Sequence, residues 1–137
     1  MREPPTRRLL LLGSNLDSDV RVRSALARLA ACGTATLLTP IRRFASDNGG
    51  PRRYYNALVD WCAADGSEPM PSFAHRLEHE LGRRRDMATE VAIDIDLLAS
   101  FVDGRWRADA HALDKREFDR ASVTALLREA GIDVLMT

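Results

Sequence analysis

Residues 91–98, Val-Ala-Ile-Asp-Ile-Asp-Leu-Leu, constrain this chain more than any other stretch. Read with period two, Val91, Ile93, Ile95 and Leu97 face one side of a strand, and Ala92, Asp94, Asp96 and Leu98 face the other. Burial explains the first set. Aspartate is disfavoured in strands, and apolar packing gives no reason for it to recur at i and i+2. On one strand face the two carboxylates lie roughly 6.5–7 Å apart along the chain, close enough to turn toward one hard cation or a pair of them. Such cations take oxygen ligands and fill the rest of their shell with water and substrate phosphates. Taken alone, Asp-x-Asp also fits a solvated strand face, so the rest of the chain has to decide.

The first eight residues, rich in proline and arginine, are expected to be a loose terminus. Leu9 to Leu12 is a short apolar run that reads as a central strand covered on both faces, followed by a turn at Gly13-Ser14-Asn15. Asp17, Ser18 and Asp19 start a helix whose buried stripe is Val22, Ala25, Leu26, Leu29 and Ala30, with Gly33 closing it. Thr34 to Phe44 is expected to be a second strand, with an edge or bulge at Pro40. Residues 46–53 are a loop and a candidate lid. Tyr54 to Ala63 alternates as a third strand, and Glu68 to Gly82 is a helix that buries Phe73, Leu77 and Leu81. After the aspartate strand, Val102 to Arg105 forms a hairpin turn, so that Arg105 to Ala108 pairs back. Ala121 to Ala130 is a last amphipathic helix capped by Gly131.

This order is strand–helix–strand–strand–helix–strand, then a hairpin and a helix. It predicts an α+β fold of the ferredoxin-like, split βαβ kind: a mostly antiparallel sheet with its helices on one face. At 137 residues the chain is expected to be a single domain spanning 1–137. Its 20 basic and 20 acidic residues balance, so no global field argues for nucleic acid or an anionic membrane. An RNA-binding sheet is disfavoured further, because the aromatic strand pattern used to stack bases is absent. Cys32 and Cys62 are far apart and fit a reducing compartment, and Leu9–Leu12 is too short for a signal core or a membrane span. A soluble, cytoplasmic chain acting on small molecules, monomeric or weakly dimeric, is the expectation. Lys115 is its only lysine, every other basic residue being arginine.

Several residues can join the aspartates. Glu78 lies on the preceding helix, and Arg83 and Arg85 share a side of the following link if that link is extended, where they can pair with phosphate oxygens. A solvated arginine patch fits the same residues equally well. Past the hairpin, His111 and Arg116 can hold an anion and Phe118 can stack on a flat group; a loop anchored by one phenylalanine is the plainer alternative. Asn56 interrupts an apolar strand, either to satisfy nearby backbone or to read the edge of a heterocycle. His75-Arg76-Leu77-Glu78-His79 matches the H-x-x-E-H zinc helix. The chain is short for a protease cleft, however, and two exposed histidines are the better reading.

Assembled, these residues resemble the 6-hydroxymethyl-7,8-dihydropterin pyrophosphokinase family. The resemblance runs from about Leu9 to Phe118. It rests on Leu-Leu-Gly-Ser-Asn at 11–15, Tyr54-Tyr55-Asn56, Arg76-Leu77-Glu78, and Leu81-Gly82-Arg83-Arg84-Arg85. It is strongest at Ile93-Asp94-Ile95-Asp96-Leu97-Leu98, and ends at His111 and the run Asp114-Lys115-Arg116-Glu117-Phe118. It implies that Asp94 and Asp96 hold magnesium on the triphosphate of ATP. Glu78, Arg83, Arg85, His111 and Arg116 would line the nucleotide, Arg83 and Arg85 also serving catalysis. Tyr54, Asn56 and Phe118 would form the pterin slot. The implied reaction transfers diphosphate from ATP to the pterin's hydroxymethyl oxygen and releases AMP.

This sequence also departs from the family. The usual Trp-Gly-Pro-Arg before the metal strand is replaced by residues 87–92, Met-Ala-Thr-Glu-Val-Ala, and Glu90 puts a negative charge where the family has a positive one. The usual Tyr-x-Thr-x-Pro is only faintly echoed by Phe44-Ala45-Ser46, Ala110 stands where a proline precedes the histidine, and residues 119–137 diverge. Losing one phosphate-pairing donor is worth on the order of 2–4 kcal/mol of transition-state stabilisation. The departures therefore leave open a non-catalytic or substrate-shifted paralogue of the same fold that binds a nucleotide, a pterin or a protein partner.

Overall fold

The structure, a computed structural model, describes residues 7–15, 18–45, 53–64, 70–82 and 93–136. In chain order these form β1 (Arg7–Ser14), α1 (Val20–Ala31), β2 (Gly33–Leu37), β3 (Arg42–Ala45), β4 (Arg53–Ala63) and α2 (Met70–Glu80). There follow β5 (Asp94–Val102), β6 (Arg105–Ala108), α3 (Ala110–Asp114), a 3₁₀ turn (Glu117–Asp119), α4 (Ala121–Ala130) and β7 (Val134–Leu135). The seven strands make one sheet in the order β2-β4-β1-β5-β6-β7, with β3 also paired to β4. Every pairing is antiparallel except β6 with β7. Among the described residues no helix is long and apolar enough to cross a membrane.

β1 is the central strand, and its Leu9–Leu12 run is apolar on both sides, so both faces of the sheet need cover. Leu10 and Leu12 pack with Val22, Ala25 and Leu29 of α1 and with Phe73, Leu77 and Leu81 at α2. Leu9 and Leu11 pack with Leu58, Leu98 and Trp106 under Val123 and Leu126 of α4. The helices therefore lie on both faces, which corrects the one-face expectation. A strand buried on one side only would leave two of these four leucines in water, at about 1.5–3 kcal/mol each.

Other boundaries also move. Arg7 and Arg8 belong to β1, opposite Cys62 and Trp61, because the Arg7 guanidinium pairs with Asp60 at 2.7 Å and lies 4.1 Å over the Phe101 ring. Gly13 and Ser14 continue β1 rather than turn it. Gly33 does not end α1 in a left-handed cap; it opens β2, where a Cβ would meet the Cys62 carbonyl at 2.2 Å. The expected strand 34–44 is two pieces, β2 and β3, broken around Pro40 and both paired with β4.

The hairpin and the last cap fall where the sequence put them. Asp103 and Gly104 both take positive φ, 52° and 77°, as a two-residue turn joining β5 to β6 requires. Gly131 ends α4 at φ 68°. One irregularity was not legible: β5 shifts register against β1 between Leu9 and Leu10, so that Leu98 is an extra residue. Leu98 and Ala99 consequently both face the α4 side. Bulges of this kind bend a strand and free a backbone group for another partner.

Candidate functional site

The register of three strands sets up the site. Asn56 on β4 lies opposite Gly13 on β1, and Gly13 lies opposite Asp94 on β5. One step along, Leu58, Leu11 and Asp96 form the next such row. Directly opposed residues in antiparallel pairs share a face, and Leu58 and Leu11 belong to the core under α4. Asn56, Gly13, Asp94 and Asp96 therefore share that face. Glycine is required in the middle: a Cβ at Gly13 would come within 2.8 Å of Asn56 Nδ2. Asn56 is 1 % exposed; its Nδ2 donates to the Leu12 carbonyl at 3.2 Å, and its Oδ1 is buried with no partner among the described residues. A buried acceptor left unmade costs about 1–3 kcal/mol.

The outer edge of β5 is the second part. β6 pairs with β5 only from Ala99 onward, so side chains and loops take the edge before it. Glu78, 4 % exposed on α2, accepts the Ile95 backbone N–H on Oε2 at 2.9 Å. At the bulge, the Leu98 carbonyl accepts the Asp109 N–H at 2.8 Å. Asp109 is then the N-cap of α3, its carboxylate accepting the Ala112 N–H at 3.1 Å. A cavity of about 610 Å³ opens along this edge, lined by residues that include Glu78, Asp94, Asp96, His111, Lys115 and Glu117.

Its electrostatics are dominated by carboxylates. Burial, then the neighbouring Asp94 and Glu117 carboxylates and a side-chain hydrogen bond with Glu117, push the Asp96 carboxyl up to about 8, with Lys115 pulling the other way. Arg120 reaches Asp96 at 3.7 Å and Glu117 at 3.4 Å but does not line the cavity. The two aspartates offer oxygen ligands with excess negative charge, which fits a hard divalent cation better than a softer metal. Among the described residues no three His, Cys, Asp or Glu side chains gather as a ligand set. An ion on Asp94 and Asp96 would accordingly take the rest of its shell from water and phosphate. The H-x-x-E-H helix is arranged otherwise, with His75 71 % exposed, its Nδ1 3.8 Å from Glu78 Oε1.

Of the residues singled out in the sequence, Glu78, Asp94, Asp96 and His111 come together on this cavity. Asn56 lies one strand beyond Gly13. Tyr54 precedes it on the same face of β4, opposite Phe44, and Phe118 packs against the core under α4. Arg116, exposed like Lys115, does not line the cavity; it takes a left-handed conformation (φ 57°, ψ 36°) that turns the chain from α3 into the 3₁₀ turn. Arg83 and Arg85, the 46–52 part of the loop and the 83–92 link lie outside the described residues. Sequence reasoning missed Asp109, Glu117 and Arg120. Asp109 had a signal, an Asp three residues before the amide it caps; Glu117 and Arg120 had none, since only the fold brings them to Asp96.

A family model described as 7,8-dihydro-6-hydroxymethylpterin-pyrophosphokinase (HPPK) matches residues 9–130, most of the chain. No curated protein matches it.

Proposed function

The chain belongs to the 7,8-dihydro-6-hydroxymethylpterin-pyrophosphokinase family, and from that premise we propose that it transfers the β,γ-diphosphate of ATP to a 6-hydroxymethyl-7,8-dihydropterin in folate biosynthesis. The pterin's hydroxymethyl oxygen attacks the β-phosphorus, the bond to the α,β-bridging oxygen breaks, AMP leaves, and the hydroxyl proton passes to solvent. The observation that carries the reading is the row Asn56–Gly13–Asp94 across three strands. At one end is a buried acceptor with no partner among the described residues, which a ring N–H or exocyclic amine would satisfy. In the middle is a residue with no side chain, and at the other end is the aspartate pair. Two strand spacings, roughly 10 Å, separate the atom that reads the heterocycle from the acids beside the phosphates.

Asn56 would fix the pterin's orientation, with Tyr54 and Phe118 closing its slot. Asp94 and Asp96 would hold magnesium, which when bound neutralises polyphosphate charge and aligns it for in-line displacement. Glu78 would keep β5 in place through the Ile95 N–H, His111 would border the nucleotide, and Arg83 and Arg85 would pair with phosphate oxygens. We read β2-β4-β1-β5 with α1 and α2 as a ferredoxin-like split βαβ unit, α4 being an addition on the other face. The proposed setting is a cytoplasmic, monomeric or weakly dimeric enzyme without a nucleic-acid partner. One observation favours a second reading: residues 87–92 carry neither Trp nor Arg, which suits a member that binds these ligands without turning them over.

The test combines binding and turnover. ATP titrations with and without magnesium on the parent and Asp94→Ala should show magnesium-dependent affinity that the substitution removes. AMP release with hydroxymethyldihydropterin then separates the two readings. Affinity that ignores both magnesium and Asp94→Ala ends the proposal; binding without AMP release selects the second reading.

A further inference from the structure

Two cations approach the aspartate pair: Arg120, which reaches Asp96 at 3.7 Å without lining the cavity, and Lys115, which lines it. Lys115 and Arg116 are neighbours in sequence, at the junction of α3 and the 3₁₀ turn. The Lys115 N–H donates to the His111 carbonyl at 3.0 Å, which sets Lys115 as the last turn of α3. Its side chain lines the cavity with Asp94, Asp96 and Glu117, while Arg116, in its left-handed conformation, does not. Among the described residues lining that cavity, Glu78, Asp94, Asp96, Asp109 and Glu117 are acidic, and Lys115 alone carries a permanent positive charge. A triphosphate entering there meets carboxylates on several sides, so a fixed positive group close to the aspartates has a large effect on whether it stays.

We infer that Lys115, rather than Arg116, contacts the phosphates of the nucleotide in this protein. The inference rests on the proposed function and names the residue that deepens it. An ammonium on a flexible stem suits this position: it is a compact point charge that fits between a carboxylate and a phosphate oxygen, where a planar guanidinium needs a wider slot. The composition agrees, since this chain uses arginine at 19 basic positions and lysine only here.

The experiment measures Mg·ATP affinity by calorimetry on the parent, Lys115→Gln, Lys115→Arg and Arg116→Gln, with thermal unfolding of each as a check on the fold. Lys115→Gln is expected to weaken binding at least tenfold and by more than three times the loss in Arg116→Gln, and Lys115→Arg to recover part of it. A loss in Lys115→Gln three times that of Arg116→Gln or smaller overturns the assignment of Lys115 while leaving the proposed function standing. A parent chain that binds no Mg·ATP overturns the proposed function itself, and this inference with it.

Discussion

Glu78 Oε2 accepts the backbone N–H of Ile95 at 2.9 Å, the residue between the two aspartates. A helix side chain thus completes the edge of β5 where no described strand does, and fixes the segment from which Asp94 and Asp96 project. Glu78→Leu keeps the bulk and leaves that buried N–H unpaired, which should cost about 1–3 kcal/mol. Glu78→Gln keeps an acceptor and should cost less than half as much. Urea unfolding of both, with magnesium titration of each, checks this. Equal losses would mean that the carboxylate charge, and not the bond to Ile95, holds the strand.

Gly13→Ala tests the row across the sheet. The added Cβ would sit 2.8 Å from Asn56 Nδ2, and Asn56 is a short, buried side chain with little room to yield. The amide must turn, losing its bond to the Leu12 carbonyl and moving Oδ1. Overpacking of this sort costs about 1–3 kcal/mol. KM for the pterin should rise at least tenfold while Mg·ATP affinity stays within threefold, because the clash falls on the Asn56 side of the glycine. Steady-state kinetics with each substrate varied in turn gives the comparison.

The Asp96 carboxyl predicts a pH dependence with a definite sign. Burial and then the nearby Asp94 and Glu117 carboxylates push it from the ordinary 3.8 to about 8. Between those values the metal-free folded state binds a proton that the unfolded state has released. The contribution of this group to stability is therefore complete below about pH 4 and lost as pH rises through about 8. A magnesium ion on Asp96 displaces that proton, so apparent magnesium affinity should rise roughly tenfold per pH unit below 8 and flatten above it. Magnesium titrations from pH 6 to 9 test the slope; Asp96→Asn should abolish it.

The sheet, and the residues that stand out on its central strands, were legible because both follow from local pattern. Period-two alternation marked β4 and β5, Gly131 and the Asp103-Gly104 turn marked ends, and Asp-x-Asp stood out against its apolar setting. The one-face helix layer failed although the chain carried its own correction: Leu9 and Leu11 are as apolar as Leu10 and Leu12, and each pair needs a lid. The bulge at Leu98 was invisible because Leu97, Leu98 and Ala99 are all apolar, and only pairing with β1 decides which faces where. No feature of Lys115-Arg116 in the sequence says which of them the turn after α3 brings to the cavity lining.

That bulge carries a last prediction. By freeing the Leu98 carbonyl for the Asp109 N–H it places Asp109, whose carboxylate caps α3 through the Ala112 N–H, and α3 in turn carries His111 and Lys115 to the cavity. Asp109→Ala removes the cap, at about 1 kcal/mol, and keeps the backbone bond to Leu98. In a helix of five residues one cap is a large fraction of what holds the first turn, so α3 should fray while the sheet stays intact. The expected outcome is a small fall in unfolding midpoint with at least a tenfold loss of Mg·ATP affinity, and recovery of both in Asp109→Asn, whose side-chain oxygen can still accept from Ala112. Hydrogen exchange should show faster amides at residues 112–115 and unchanged protection in β1 and β4. Unchanged exchange in α3 alongside lost affinity would mean that Asp109 acts through its charge in the cavity rather than by holding the helix that bears Lys115.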